Sequence, residues 1–146
     1  MSQSADSLSQ LLAVSARTHA AMVAAGDDLV ADLGLSSARE QLLSALVTAG
    51  SPRTVSDLAR DLGLSRQAVQ RVADDLAERN LAAYFPNPDH ARAKLLAPTD
   101  SGRLTLTEAL RRKGAWLEGL AQGLPPQGLE IAVELLRLVG RRVGRK

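Results

Sequence analysis

The sequence predicts a mainly α-helical protein with a small β-hairpin. Apolar residues make up 45% of the chain and aromatic residues only 2%, a balance typical of packed helices rather than of stacked sheets. Apolar residues also recur every three or four positions over most of the chain, as they do on one face of a helix. Its 146 residues are enough for one domain, or for one domain with extended arms.

Two helices are predicted before residue 50. The apolar spacing indicates an amphipathic helix from about Ser7 to Ala25, which Gly26 would end or bend. The segment Ser37-Ala38-Arg39-Glu40 fits a capping box, in which the serine hydroxyl and the glutamate carboxylate each satisfy a free amide. The second helix would therefore start at Ser37 and end at Gly50-Ser51-Pro52.

A pair of short helices follows. Ser56 is the expected cap of the first, Gly63 permits a sharp turn, and Ser65 is the expected cap of the second. The second helix of this pair is predicted over residues 65–79. It has an apolar stripe formed by Val69, Val72 and Leu76. This pattern is typical of a helix-turn-helix.

A hairpin is predicted after these helices. Residues 81–85 and 95–97 are expected to be extended, and the turn-rich residues 86–94 would form a long tip between them. Pro98 has no amide hydrogen, and we expect it to shorten the last strand.

The remaining sequence predicts two further helices. Thr99 or Asp100 would start a long helix that runs to about Gln122, and the segment 124–126 would separate it from the last helix. The first and last helices carry apolar residues on more than one side, which a second copy of the chain could cover. Residues 1–35 would thus form an N-terminal dimerisation helix and linker, 36–100 a winged helix-turn-helix, and 101–146 a connecting helix and C-terminal dimerisation helix.

A winged helix-turn-helix places its second helix in the major groove of DNA, with the N-terminal turns against the base edges. Since the apolar stripe faces inward, the opposite side presents long donor-bearing side chains, namely Arg66, Gln67, Gln70 and Arg71. Arginine can bind O6 and N7 of guanine together, and glutamine can bind N6 and N7 of adenine. Ser65, at a helix N-terminus, suits a phosphate.

Acidic residues limit how this helix can approach DNA. Asp74, Asp75 and Glu78 occupy its second half, so that only the N-terminal end would come close to a phosphate backbone. Charged residues outside an apolar stripe can also be no more than a solvated helix face. The glycine turn before the helix and the Arg92-bearing hairpin after it favour the DNA-binding interpretation.

Residues 36–103 resemble the multiple antibiotic resistance regulator (MarR) family of bacterial transcription factors, and the flanking helices match the layout of that family. The most specific stretch is TVSDLARDLGLSRQAVQRVADDLAERNLAAYFPNPDHARAKLLAPTDSGR. The resemblance implies a dimer joined through its first and last helices, with each recognition helix in a major groove of double-stranded DNA and each wing in a minor groove. On this basis Arg92 is the wing-tip arginine, supported by Lys94, and the candidate DNA-binding residues are Ser65, Arg66, Gln67, Gln70, Arg71, Arg92 and Lys94.

Four positions depart from the family pattern. Ala91 stands where the wing commonly has a first basic residue, His90 where an aspartate is frequent, Pro98 where leucine is common, and Glu40 where an aromatic residue is frequent. These departures, with the acids on the recognition helix, leave an alternative open. The chain could be a winged-helix protein-interaction module with weak or no DNA binding.

The resemblance also implies a small aromatic or amphipathic effector that releases the DNA. The side chains that offer distinctive chemistry for such a ligand are His19, Met22, Arg39 and Trp116. A lone histidine on a helix face is more often a packing or surface residue, and Trp116 is expected chiefly to pack.

Several classes of function are disfavoured. The chain has no cysteine and only two histidines, which are far apart, so neither a disulfide nor a metal site is expected. The sequence contains no nucleophile elbow, phosphate loop or pair of carboxylates that would indicate an enzyme or a bound cofactor. No apolar run approaches the ~18 residues that span a bilayer, and the first residues do not resemble a signal peptide. The sequence therefore predicts a cytoplasmic DNA-binding transcriptional regulator, with a repressor as the leading hypothesis.

Overall fold

The computed structural model describes residues 2–144 and confirms the mainly helical winged helix-turn-helix fold. The described residues divide into two compact units, with the boundary between Lys113 and Gly114. The helices are α1 (Gln3–Val30), α2 (Ser37–Ala49), α3 (Val55–Leu62), α4 (Arg66–Glu78), α5 (Asp100–Ala121) and α6 (Pro126–Val143), with a short 3-10 helix at Ala31–Leu33 after α1. The strands are β1 (Arg53–Thr54), β2 (Ala82–Phe85) and β3 (Leu95–Pro98).

Helix α1 is longer than predicted and continues past Gly26. The glycine is buried, and a Cβ at this position would lie 3.6 Å from the side chain of Lys113. A contact at this distance is an ordinary van der Waals contact, and the prediction that Gly26 ends the helix was wrong. The N-terminus is capped by Ser2, whose Oγ accepts a hydrogen bond from the amide of Ala5 at 3.3 Å.

The capping box predicted at Ser37 is also wrong. Ser36 caps α2, since its Oγ accepts from the amide of Arg39 at 3.4 Å. Ser37 instead donates twice to Oδ1 of Asp27 in α1, from its amide and from its hydroxyl, at 2.6 Å each. The carboxylate of Glu40 pairs with Lys113 rather than reaching back to the start of the helix.

Helix α3 likewise starts earlier than its predicted cap. Thr54, not Ser56, provides the cap, because its Oγ1 accepts from the amide of Asp57 at 3.1 Å. The turn after α3 is as predicted: Gly63 has a φ of 65°, a conformation that costs glycine little because it has no Cβ.

The three strands form an antiparallel sheet in the order β1-β3-β2. The two-residue strand β1 was not predicted. The expectation that Pro98 shortens the last strand was wrong, since β3 includes Pro98 paired with Ala82. Because β1 pairs only with Leu95 and Leu96, β3 has no neighbour on that edge at Pro98, and a missing amide is tolerated there.

The core of the first unit fixes the rotation of α4. Val69, Ala73 and Leu76 are buried and Val72 is partly buried, which confirms the predicted apolar stripe. Helix α4 packs against α2, α3 and β2. It ends in a turn at Asn80, with a φ of 59°, after which the amide of Leu81 donates to the carbonyl oxygen of Leu76 at 2.9 Å. The opposite face of α4 is therefore held toward solvent.

The described part of the second unit is dominated by α6. None of its residues is buried in the single chain, and its apolar side chains include Ile131, which is 62% exposed, and Leu135, which is 46% exposed. Among residues 2–144, no helix combines the length and apolar character that a membrane crossing requires.

Candidate nucleic-acid interface

A groove of about 630 Å³ lies between the exposed face of α4 and the hairpin. It contains five of the seven residues that the sequence predicts to bind DNA, which are Arg66, Gln67, Gln70, Arg92 and Lys94. The other lining residues are Thr54, Val55, Ser56, Asp74, Tyr84 and Ala93. The fold thus brings residues of α4 and residues of the hairpin, which are distant in the sequence, to one groove.

The two other predicted DNA-binding residues lie on the same helix but outside the lining of the groove. Ser65 caps α4, with its Oγ accepting from the amide of Ala68 at 3.1 Å. A hydroxyl that accepts one hydrogen bond can still donate another, so Ser65 remains able to donate to a phosphate. Arg71 is exposed six residues further along the chain, on the same helix.

The groove is positively charged. Arg66, Arg92 and Lys94 are all exposed, and none of them forms an ion pair with another of the described residues. Nearby arginines outside the groove differ, since Arg53 pairs with Asp61 at 2.6 Å and Arg60 with Asp57 at 2.8 Å. Cations without an internal partner attract a polyanion such as DNA.

Three side chains on the floor of the groove form a closed hydrogen-bond network. Nε2 of Gln70 donates to Oδ1 of Asp74 at 2.9 Å and to the hydroxyl of Tyr84 at 2.8 Å. The hydroxyl of Tyr84 in turn donates to Oδ1 of Asp74 at 2.7 Å. Partial burial, and then the hydrogen bond to Asp74, raise the pKa of Tyr84 above its usual value, so the phenol stays protonated at neutral pH.

The sequence did not identify Tyr84 as part of the site. The spacing of Gln70 and Asp74, four residues apart on a helix, predicts contact between these two side chains. Tyr84 is fourteen residues after Gln70 and lies on β2, where it pairs with Leu96 of β3. Only the packing of the sheet against α4 brings its hydroxyl to the helix.

The acidic second half of α4 is partly neutralised within the protein. Asp75 accepts a hydrogen bond from Nη2 of Arg39 at 3.2 Å, and Nη1 of Arg39 lies 3.4 Å from the carbonyl oxygen of Gly34, to which it donates. Arg39, which the sequence offers as a ligand residue, thus links α2 to the recognition helix.

The other candidate ligand residues lie elsewhere. His19 is exposed and Met22 half-buried on α1, and Trp116 is half-buried on α5 in the second unit. They do not line the groove between α4 and the wing, and their role in binding an effector stays a prediction. Within residues 2–144, no three histidine, aspartate or glutamate side chains are grouped as metal ligands would be.

Comparison with known proteins decides the family. The model of the MarR family matches residues 33–93. An uncharacterised protein of Mycobacterium tuberculosis is 39% identical over 112 residues, which cover 77% of each chain. The chain belongs to the MarR family. It is therefore a DNA-binding transcriptional regulator and not an enzyme.

Two solved structures illustrate the similarity. The crystal structure of a MarR family transcription regulator matches with a TM-score of 0.83 at 20% identity, over 98% of this chain and 97% of the other. The transcriptional repressor CouR, bound to a 23-mer DNA duplex, matches with a TM-score of 0.76 at 25% identity, over 91% of this chain and 94% of the other. The structure of CouR thus shows a chain of similar fold in complex with duplex DNA.

Proposed function

We propose that the protein is a homodimeric repressor that binds a pseudo-palindromic operator. The observation that carries the proposal is the groove in which Arg66, Gln67 and Gln70 of α4 converge with Arg92 and Lys94 of the wing. The recognition helix, residues 65–79, would enter the major groove, which is about 12 Å wide and admits a helix. The wing, residues 86–94, would follow the backbone into the adjacent minor groove.

Each residue of the groove would have a role in DNA binding that follows from its chemistry. Arg66 is at the first position of α4, where a guanidinium can bind O6 and N7 of a guanine. Arg92 and Lys94 supply charge to the minor groove and its phosphates. Ser65 and the free amides at the start of α4 suit a phosphate oxygen, while Gln67 and Arg71 extend the contact along the helix.

A second copy of the chain would cover the apolar faces of α1 and α6. In the single chain Leu8 and Leu12 of α1 are 39% and 43% exposed, and Ile131 of α6 is 62% exposed. Exposed apolar faces of this extent favour association. A two-fold dimer formed by residues 1–35 and 101–146 would present its recognition helices to half-sites about 34 Å apart.

The proposal includes repression of transcription and release of the operator by a ligand. CouR, the DNA-bound relative, is a transcriptional repressor, which supports the same sign of regulation here. A small aromatic or amphipathic effector would bind at residues chosen from His19, Met22, Arg39 and Trp116 and release the operator. A regulator that acts on DNA in this way would work in the cytoplasm.

The test is selection of binding sequences from a random duplex library with the full chain, followed by affinity measurements at fixed salt. We expect an enriched pseudo-palindrome, for which Arg66→Ala lowers the affinity about tenfold or more while non-specific binding is retained. If no sequence is enriched and Arg66→Ala has no effect, the proposal is wrong. Co-purification of a protein partner would then favour the interaction module.

A further inference from the structure

Asp74 is an acid without an ion-pair partner in a groove of cations. Its side chain is exposed and lines the groove together with Arg66, Arg92 and Lys94, yet no ion pair joins it to another described residue. The next acid along the helix, Asp75, pairs with α2 and does not line the groove. An acid on this face lowers the attraction for phosphates. Its place among the groove residues therefore points to a role other than general affinity for DNA.

Tyr84 holds the carboxylate of Asp74 in place. The hydroxyl oxygen of Tyr84 and Oδ1 of Asp74 are 2.7 Å apart. A carboxylate only accepts hydrogen bonds, so the hydrogen between the two oxygens is that of the phenol. Tyr84 lies on β2 and is paired with Leu96 of β3, which is fully buried. The sheet therefore anchors an acid that belongs to the recognition helix.

The second carboxylate oxygen of Asp74 is available to a ligand. Only Oδ1 accepts hydrogen bonds from described side chains, and Oδ2 accepts none of them. Asp74 follows Gln70 by four residues and Arg66 by eight on α4, and residues spaced four apart share one face of a helix. Asp74 thus lies on the same side of α4 as two residues that the sequence predicts to bind bases.

Cytosine is the base whose major-groove edge suits an acceptor. It presents a single hydrogen-bonding group there, the N4 amine, which is a donor. Guanine presents the two acceptors N7 and O6, thymine presents the acceptor O4, and adenine has the acceptor N7 beside its N6 amine. A carboxylate is repelled by each of these acceptors. It therefore favours cytosine over the other three bases.

We propose that Asp74 is a specificity-determining residue that accepts a hydrogen bond from N4 of a cytosine, and that Tyr84 is the positioning residue that fixes its carboxylate. The inference rests on the proposed function and deepens it. It gives one of the acids on α4 a role in base recognition, beside the effect of these acids on how the helix approaches DNA.

The first experiment repeats the selection of binding sequences with Asp74→Asn, which keeps the shape of the side chain and removes its charge. The wild-type protein should select cytosine at a base pair where Asp74→Asn accepts other bases, because an asparagine amide donates as well as accepts. Glu78→Gln is the matched control, since it also removes an exposed acid from α4 but lies outside the groove. Both variants should bind non-specific DNA more tightly than the wild type, and only Asp74→Asn should relax the cytosine.

The second experiment removes the amine from the DNA. A duplex with 2-pyrimidinone in place of the selected cytosine lacks N4. We expect this change to lower the affinity of the wild-type protein about tenfold more than that of Asp74→Ala. The comparison is a double-mutant cycle, in which the effect of the modified base on the duplex itself cancels.

Tyr84→Phe tests the positioning role, because it removes the anchor and keeps the charge of Asp74. We expect a weaker preference for cytosine at the selected pair and an unchanged affinity for non-specific DNA. A purely structural role of Tyr84 would instead lower the melting temperature and weaken binding to all sequences alike. Full retention of the cytosine preference in Tyr84→Phe would exclude Tyr84 as a positioning residue.

Three results would overturn the role of Asp74 while leaving the proposed function intact. One is specific binding in which Asp74→Asn keeps every base preference of the wild type. Another is a relaxed position at which the wild type does not select cytosine. The third is a loss of the amine that costs the wild type and Asp74→Ala the same affinity. If the selection enriches no sequence, the proposed function itself fails and the inference falls with it.

Discussion

Arg39 of α2 and Asp75 of α4 form an ion pair, with 3.2 Å between Nη2 and Oδ2. The arginine side chain is 22% exposed and the aspartate side chain 42%, so solvent screens the pair and its net contribution to stability is modest, about 0.2–1 kcal/mol. Its position matters more than its strength. It attaches the acidic side of the recognition helix to the helix that precedes the helix-turn-helix.

We expect a double-mutant cycle with Arg39→Ala and Asp75→Ala to give a coupling energy of about 0.2–1 kcal/mol in urea unfolding. Arg39→Ala should cost more than Asp75→Ala, because the half-buried aliphatic part of the arginine also packs. The exposed pair Arg137–Glu134 on α6, whose side chains are 64% and 62% exposed, serves as a control with weaker coupling. A coupling of zero for Arg39 and Asp75 would show that the pair does not hold α4.

Gly102→Ala should strongly destabilise the protein. A Cβ on Gly102 would overlap the carbonyl oxygen of Leu81 and lie 2.9 Å from its carbonyl carbon. Because the obstacle is backbone, relief needs a shift of α5, and we expect a loss of about 3 kcal/mol in the free energy of unfolding. Gly114→Ala on the same helix, where a Cβ meets nothing within 4 Å, should instead stabilise by about 0.5–1 kcal/mol. Equal effects of the two substitutions would contradict the close contact at Gly102.

The stability of the first unit should depend on the ionisation of Glu108. Hydrogen bonds from Arg111 and then Arg112 lower the pKa of Glu108 from 4.5 to about 2. Because the folded pKa is the lower one, the stabilisation is fully present above pH 4.5 and is lost as the pH falls toward 2. Glu108→Gln should therefore be less stable than the wild type at pH 7, and the difference between the two urea midpoints should shrink as the pH falls from 5 to 3.

Glu118→Gln, on the same helix, is the control for Glu108→Gln. Glu118 is exposed and forms no ion pair with another of residues 2–144, so its substitution should leave the midpoint unchanged at every pH. A constant difference between wild type and Glu108→Gln across the pH range would refute the assignment.

Arg92→Ala should weaken binding to all DNA sequences and lower the slope of log affinity against log salt by about 1. The reason is that Arg92 lies in the groove without an ion-pair partner among the described residues, and its charge is therefore available to phosphates. Affinity titrations at several salt concentrations measure the slope. Arg137→Ala, which removes an arginine paired with Glu134 on α6, should leave the slope unchanged. An unchanged slope in Arg92→Ala would exclude a wing contact.

The sequence was sufficient for the features that local patterns determine. Apolar spacing predicted the inward face of α4, and the glycine and serine at 63 and 65 marked the turn and the cap that the structure contains. The turn and the cap depend on residues close together in the chain. The order of the elements also predicted that α4 and the wing lie side by side, and residues of both line one groove in the structure.

The features that were missed depend on distant partners. The residues at positions 36, 37 and 56 are serines and the residue at 54 is a threonine, and each of these types can cap a helix. Which of them does so depends on contacts such as that of Ser37 with Asp27. Strand β1 has two residues, too few for any periodicity. The role of Tyr84 requires the sheet to lie against α4, which no local pattern shows.

The central claim is that this groove reads a DNA sequence, and the specificity ratio tests it most directly. The measurement is the affinity of the full chain for its selected operator divided by its affinity for a scrambled duplex at the same salt concentration. We expect a ratio of about 10³ or more for the wild type and a ratio at least about tenfold lower for Arg66→Ala. A wild-type ratio within about tenfold of one, or a ratio unaffected by Arg66→Ala, would contradict it.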